Sequence, residues 1–167
     1  SQALRNTIPL MNSLKQIQQK MDQAVHQATL NVRCTLFKDN SGALDIAVQA
    51  LKIGTGDEVI MPTFTIISPA QSVVRAGATP VFCDIDLNSY HVSFDEIKKK
   101  TTSKTKAIVY THLFGNMTET QEIENYCKEN NIAFIEDAAQ SLGSIYKSRY
   151  AGSIGDISSF SFNNNKV

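Results

Sequence analysis

From residue 32 onward, short apolar runs alternate with helical patterns, and this rhythm constrains the fold more than any other feature of the chain. VRCTLF at 32–37 reads as a strand, and residues 43–51 as a helix closed by the glycines of KIGTGDE. The strand EVIMP follows, then a helical stretch from Ser68 to Ala76 that Gly77 stops. TPVFCDID gives the next strand and FDEIKKK a helix. KAIVYTH is a strand, ETQEIENYCKEN a helix, and IAFIEDA another strand. In the terminal FSFNNNKV, Phe160 and Phe162 alternate with serine at period two, so a last strand is expected there. Asparagine is depleted in strands and favoured in turns, so Asn163 to Asn165 should place Lys166 in a turn just past that strand. Upstream, residues 11–29 carry Leu14, Ile17, Met21 and Val25 at three- and four-residue spacing, the pattern of an amphipathic helix. Strands separated by helices in this order predict an α/β fold of three layers, a mostly parallel sheet with flanking helices.

Composition narrows the partners. Sixteen basic and sixteen acidic residues cancel, which gives no electrostatic basis for binding nucleic acid or an anionic membrane. No apolar run approaches the length needed to span a bilayer, and the first residues carry no signal-peptide pattern. Cys34, Cys83 and Cys127 are isolated and lack metal-ligand spacing, so reduced thiols in a cytoplasmic protein, and no metal, are expected. The Lys98-Lys99-Lys100 run follows Phe94 and Ile97 at helical spacing and reads as a solvated helix end.

In open parallel sheets, ligands sit beyond the carboxyl ends of the strands, and three places there carry chemistry. Lys38-Asp39-Asn40-Ser41-Gly42 leads from the first strand into a helix. Free N–H groups at a helix start, a hydroxyl and a glycine suit a phosphate, and an ordinary N-cap explains the same residues. After IAFIE comes Asp137, followed by Ala138, Ala139 and Gln140. Small residues behind a carboxylate admit a flat ligand with a protonated ring nitrogen; the carboxylate can equally cap the next helix. Ser161 and Lys166 form the third place: a hydroxyl for phosphate, and an amine able to form an imine with a carbonyl compound. Together the three supply a phosphate cradle, an acid for a pyridinium nitrogen and a lysine for an aldehyde, which are the requirements of pyridoxal 5'-phosphate (PLP).

The blocks GTGDEVIMPTFTIIS, VRAGATPVFCDID, TKAIVYTHLFGN, FIEDAAQSLGSIYKSRYAGSIGDISSFSF and NNNK occur in the order found in a known family. From about Asn40 to the end, the chain resembles the PLP-dependent sugar aminotransferases named for DegT, DnrJ, EryC and StrS. TIIS and the NNNK ending are most similar to the perosamine-synthase branch, which aminates GDP-4-keto-6-deoxymannose. The resemblance implies the large domain of fold-type I PLP-dependent transferases over residues 31–167, after an N-terminal helical segment over 1–30. It further implies that the smaller C-terminal domain is absent from this chain.

The same resemblance implies roles for particular residues. Lys166 would be the Schiff-base lysine and proton carrier, and Asp137 the partner of the pyridinium nitrogen. Gln140 would lie near the ring's phenolic oxygen, and Ser161 with the Asn40-Ser41 turn would hold the phosphate. Ile66 stands where the family usually has an aromatic ring over the cofactor face, and Asn40 where it usually has glycine. The implied reaction moves an amino group from glutamate to a nucleotide-linked 4-keto-6-deoxysugar, in a cytoplasmic enzyme of lipopolysaccharide sugar synthesis that is a homodimer at full length. Two alternatives stand beside it: a non-catalytic PLP-binding or regulatory remnant, and a PLP-free α/β domain that binds a nucleotide phosphate at Asn40 to Gly42.

Overall fold

The computed structural model describes Lys15, Gln16, Gln19 and residues 40–162. The chain divides into two units, Ser1–Phe37 and Lys38–Val167. In the first, Lys15, Gln16 and Gln19 are helical and exposed, within the helix expected over 11–29. The strand expected at 32–37, together with Cys34, lies outside the described residues. So does the Asn163–Lys166 turn.

In the second unit the alternation read from the sequence is realised in order: α1 (Asn40–Ala50), β1 (Glu58–Pro62), α2 (Ser68–Arg75), β2 (Thr79–Cys83), α3 (Phe94–Lys100), β3 (Thr105–Thr111), α4 (Gln121–Asn130) and β4 (Ala133–Asp137). A short hairpin follows, β5 (Ile145–Tyr146) and β6 (Arg149–Tyr150), and then β7 (Ile157–Ser159). Five strands form one parallel sheet in the order β2-β1-β3-β4-β7. The hairpin is a separate antiparallel pair.

Both faces of the sheet are covered, which is why its strands read as continuous apolar runs. Val59, Met61, Val109 and Ile135 point to one side and pack with Leu44 and Val48 of α1 and Val73 of α2. Ile60, Ile108, Tyr110 and Phe134 point to the other and pack with Ile97 of α3 and with Ile123 and Cys127 of α4. Period-two alternation therefore sends Asp137 to the α1 side, with Ile135, and Glu136 to the α3 side, with Phe134. Cys83 and Cys127 are buried free thiols in the second cluster. Burial pushes them up to about 11 and about 12, so they behave as small apolar residues.

Two local expectations change. Helix α1 already includes Asn40 and Ser41, so it does not begin near Ala43. Phe160 and Phe162 are not in a strand; the last strand is Ile157–Ser159. The fixing contacts lie just upstream, where Asp156 N–H donates to Phe134 O and Asp156 Oδ2 accepts from Phe134 N, each at 2.8 Å. Phe160 instead packs against the small cluster of Met117, Ala138 and Ala151. The Lys98-Lys99-Lys100 run is, as expected, the exposed last turn of α3.

Candidate functional site

The strand order reverses direction at β1: β2 lies on one side of it, and β3, β4 and β7 follow on the other. Such a switch opens a crevice beyond the strand ends, where open α/β sheets bind ligands. A cavity lies there, lined by Ile66 after β1, Thr111 and Leu113 at the end of β3, and Asp137, Ala139 and Gln140 at the end of β4. Thr65 Oγ1 donates to Thr111 Oγ1 at 3.3 Å, tying the segment after β1 to the end of β3 across the crevice.

Asp137 is 1 % exposed. Its Oδ1 accepts from Ala139 N at 3.2 Å and from Asn40 Nδ2 at 3.3 Å. The backbone around it is equally fixed, with His112 N donating to Asp137 O at 3.1 Å and Ala138 N to Ser159 O at 2.9 Å. Asn40, expected at a phosphate, thus turns its side chain to the acid. Ser41 Oγ lies 2.8 Å from Ser68 Oγ, so the first turns of α1 and α2 meet through two hydroxyls. The positive end of a helix dipole favours an anion, and two hydroxyls lie together here. Gln140 lies in the cavity wall, where its Oε1 accepts from Phe114 N at 2.9 Å. Ile66 also lines the cavity and is half exposed. Ser161 is buried, two residues beyond β7, and Lys166 falls outside the described residues.

Behind this surface the other sheet face carries a polar knot. Glu136 Oε2 accepts from His112 Nε2 at 2.8 Å and from Gly152 N at 2.9 Å. Its Oε1 accepts from Ile154 N at 2.7 Å and Gly155 N at 2.6 Å. Burial works to raise the Glu136 carboxyl, and the bonds from His112, Gly155 and Gly152 overcome it, leaving the group below its ordinary value. The loop that hugs this carboxylate has no room for a side chain at Gly155, where a Cβ would lie 2.5 Å from Phe134 O. His91 Nδ1 lies 3.1 Å from Thr111 O, and since a carbonyl only accepts, Nδ1 carries the proton. Burial, and then the nearby His112, hold His91 below the ordinary histidine value.

Thr111, Leu113 and Ser68 were not singled out in the sequence, whereas Ala139 was, as a small residue behind Asp137. Thr111 and Leu113 lie at the strand end to which the rule points and Ser68 at the start of α2, but none is a residue type that draws notice by itself. No group of histidine, cysteine or carboxylate side chains suited to a metal occurs among the described residues. Among them, too, no helix is long and apolar enough to cross a membrane.

Comparison with known proteins agrees with this fold. The DegT/DnrJ/EryC1/StrS aminotransferase family matches residues 12–167. The chain is 43% identical over 133 residues to GDP-perosamine synthase of Escherichia coli O157:H7, covering 80% of this chain and 36% of that protein. The chain thus spans about a third of the length of the curated relatives it matches. Among solved structures, the aminotransferase from Psychrobacter cryohalolentis superposes with a TM-score of 0.84 at 38% identity, over 89% of this chain and 38% of that one. A sugar aminotransferase described as putative, Spr1654 from Streptococcus pneumoniae, is similar in its PLP form, with a TM-score of 0.79 at 28% identity over 88% of this chain and 41% of that one. Its PMP form gives a TM-score of 0.80, again at 28% identity, over 89% and 41%.

Proposed function

Because the chain belongs to the DegT/DnrJ/EryC1/StrS aminotransferase family, we propose that it forms the PLP-binding part of a sugar aminotransferase and that the strand-end cavity is the cofactor site. The observation that carries this reading is the buried Asp137 carboxylate in the wall of a cavity at the sheet's switch point. The surroundings fit the group: a fixed acid for a ring nitrogen, two small residues behind it, an aliphatic wall at Ile66, and hydroxyls at two helix starts.

When bound, PLP supplies an aldehyde that captures amines and a ring that withdraws electrons from the attached carbon. The chain's residues do the rest. Asp137 would hold the ring nitrogen's proton by a charge-assisted hydrogen bond, from a carboxylate that is 1 % exposed. Ser41 and Ser161 would hold the phosphate. Gln140, whose Oε1 is taken by Phe114, offers its NH₂ end to the phenolic oxygen, and Ile66 packs against a ring face. Lys166 would be the amine that holds the cofactor and would act as the proton carrier; general acid–base work of this kind contributes roughly 10²–10⁴-fold.

The amino donor is glutamate and the acceptor a nucleotide-linked 4-keto-6-deoxysugar, in a cytoplasmic homodimer serving lipopolysaccharide sugar synthesis. The relative at 43% identity is a GDP-perosamine synthase, which supports a GDP-linked sugar. The test uses the full-length protein with PLP and glutamate, followed by GDP-, dTDP- and UDP-linked 4-keto-6-deoxysugars. Stoichiometric 2-oxoglutarate, then amination of the GDP sugar in preference to the others, is expected. Folded protein that forms no 2-oxoglutarate would overturn the reading.

A further inference from the structure

Asn40 is the first residue of α1, is 9% exposed, and directs its amide to Asp137 Oδ1 at 3.3 Å across a sequence separation of 97. We propose that Asn40 is a positioning residue for Asp137, holding the carboxylate ionised and turned toward the cavity. The inference rests on the reading above for what Asp137 meets, and on geometry alone for what Asn40 does.

The amide's orientation follows from charge. Were Asn40 turned over, its carbonyl oxygen would face a carboxylate oxygen, so the NH₂ end must point at Asp137. Ala139 N, at 3.2 Å, donates to the same oxygen. Two donors on one oxygen resist rotation of the carboxylate, and donation favours its charged form over its neutral one. The position of α1 makes the contact possible. Its Leu44 and Val48 pack in the same cluster as Ile135, on the sheet face to which Asp137 also points. The start of α1 therefore abuts the end of β4, and the positive end of its helix dipole favours the same ionised state. The turn that offers Ser41 to an anion and the acid at the end of β4 thus become one rigid unit through a single side chain. Asn40 acts through Asp137; it is not itself a catalytic residue.

The test is carbon-13 NMR of the cofactor-free protein labelled at aspartate carboxyls, with the Asp137 signal identified by its loss in Asp137→Asn. In Asn40→Ala the Asp137 titration midpoint should move upward, and in Asn40→Asp, which adds a like charge, further still. PLP affinity should fall in the same order. Asn40→Ser, which keeps a hydroxyl donor, provides the comparison if the alanine variant does not fold, and should move the midpoint least. A residue that only packs would shift thermal unfolding and leave the Asp137 signal where it was; an unchanged midpoint in a folded variant overturns the proposal. Wild-type protein with the Asn40-dependent midpoint but no affinity for PLP would overturn the cofactor reading instead.

Discussion

His112 Nε2 donates to Glu136 Oε2 at 2.8 Å, and neither side chain is exposed. With Gly152, Ile154 and Gly155 N–H groups on the same carboxylate, one side chain gathers four donors from two segments. Glu136→Ala would leave all four facing a cavity. Removing one partner of a buried charged cluster costs about 3–5 kcal/mol. Urea unfolding should show that loss, and Glu136→Gln should recover only part of it, since its NH₂ would face other donors. A loss under about 1 kcal/mol would mean that water replaces the carboxylate.

Acid should weaken the fold in two stages. His91 is held below its ordinary value of 6.5, so the unfolded chain binds the extra proton first, and stability falls as pH drops through 6.5 toward the folded value. Glu136 is held below 4.5; its contribution is complete above 4.5 and is lost as pH falls from there through the folded value. Thermal unfolding from pH 8 to pH 4 should show the first decline near neutrality. His91→Phe keeps the ring beside Tyr110, on which His91 stacks with centroids 5.2 Å apart, and should abolish that first stage.

The β5–β6 hairpin is held to α4 by Arg149, which forks onto Glu124 at 2.8 and 3.0 Å. Glu124 is 4% exposed, so Arg149→Gln would strand a buried carboxylate that Thr120 alone then serves. The expected cost is about 1–3 kcal/mol. Local release can be read by cleavage after Lys147 with a lysine-specific protease, which should quicken in the variant. Lys147 is itself exposed at the hairpin tip, with its ammonium paired to Glu119.

Much of the fold was legible because its sheet is covered on both sides. Val59, Ile60 and Met61 are all buried, so β1 announces itself as an unbroken apolar run. The last strand was misplaced for the opposite reason. Ile157–Ser159 is short, polar and paired only to β4, whereas the more apolar alternation of Phe160 and Phe162 is partly satisfied by a local cluster. The hairpin turn has positive φ at Lys147 and Ser148, where the usual signal would be Asn-Gly, so nothing in the sequence marked it. Asp137 could be placed at the site because strand ends are visible in sequence, and Ile66, four residues beyond β1, only through the family resemblance. The bond from Asn40 could not, since it depends on how the start of α1 abuts the end of β4, and no pattern along the chain records that meeting.

The most direct measurement is borohydride reduction of the protein mixed with PLP, followed by peptide mass mapping, in wild type and Lys166→Ala. The account predicts a pyridoxyl group on Lys166, a visible absorption band that the alanine variant lacks, and weakened binding in Asp137→Asn. Folded wild-type protein that binds no PLP, or that carries the label on other lysines only, would contradict it.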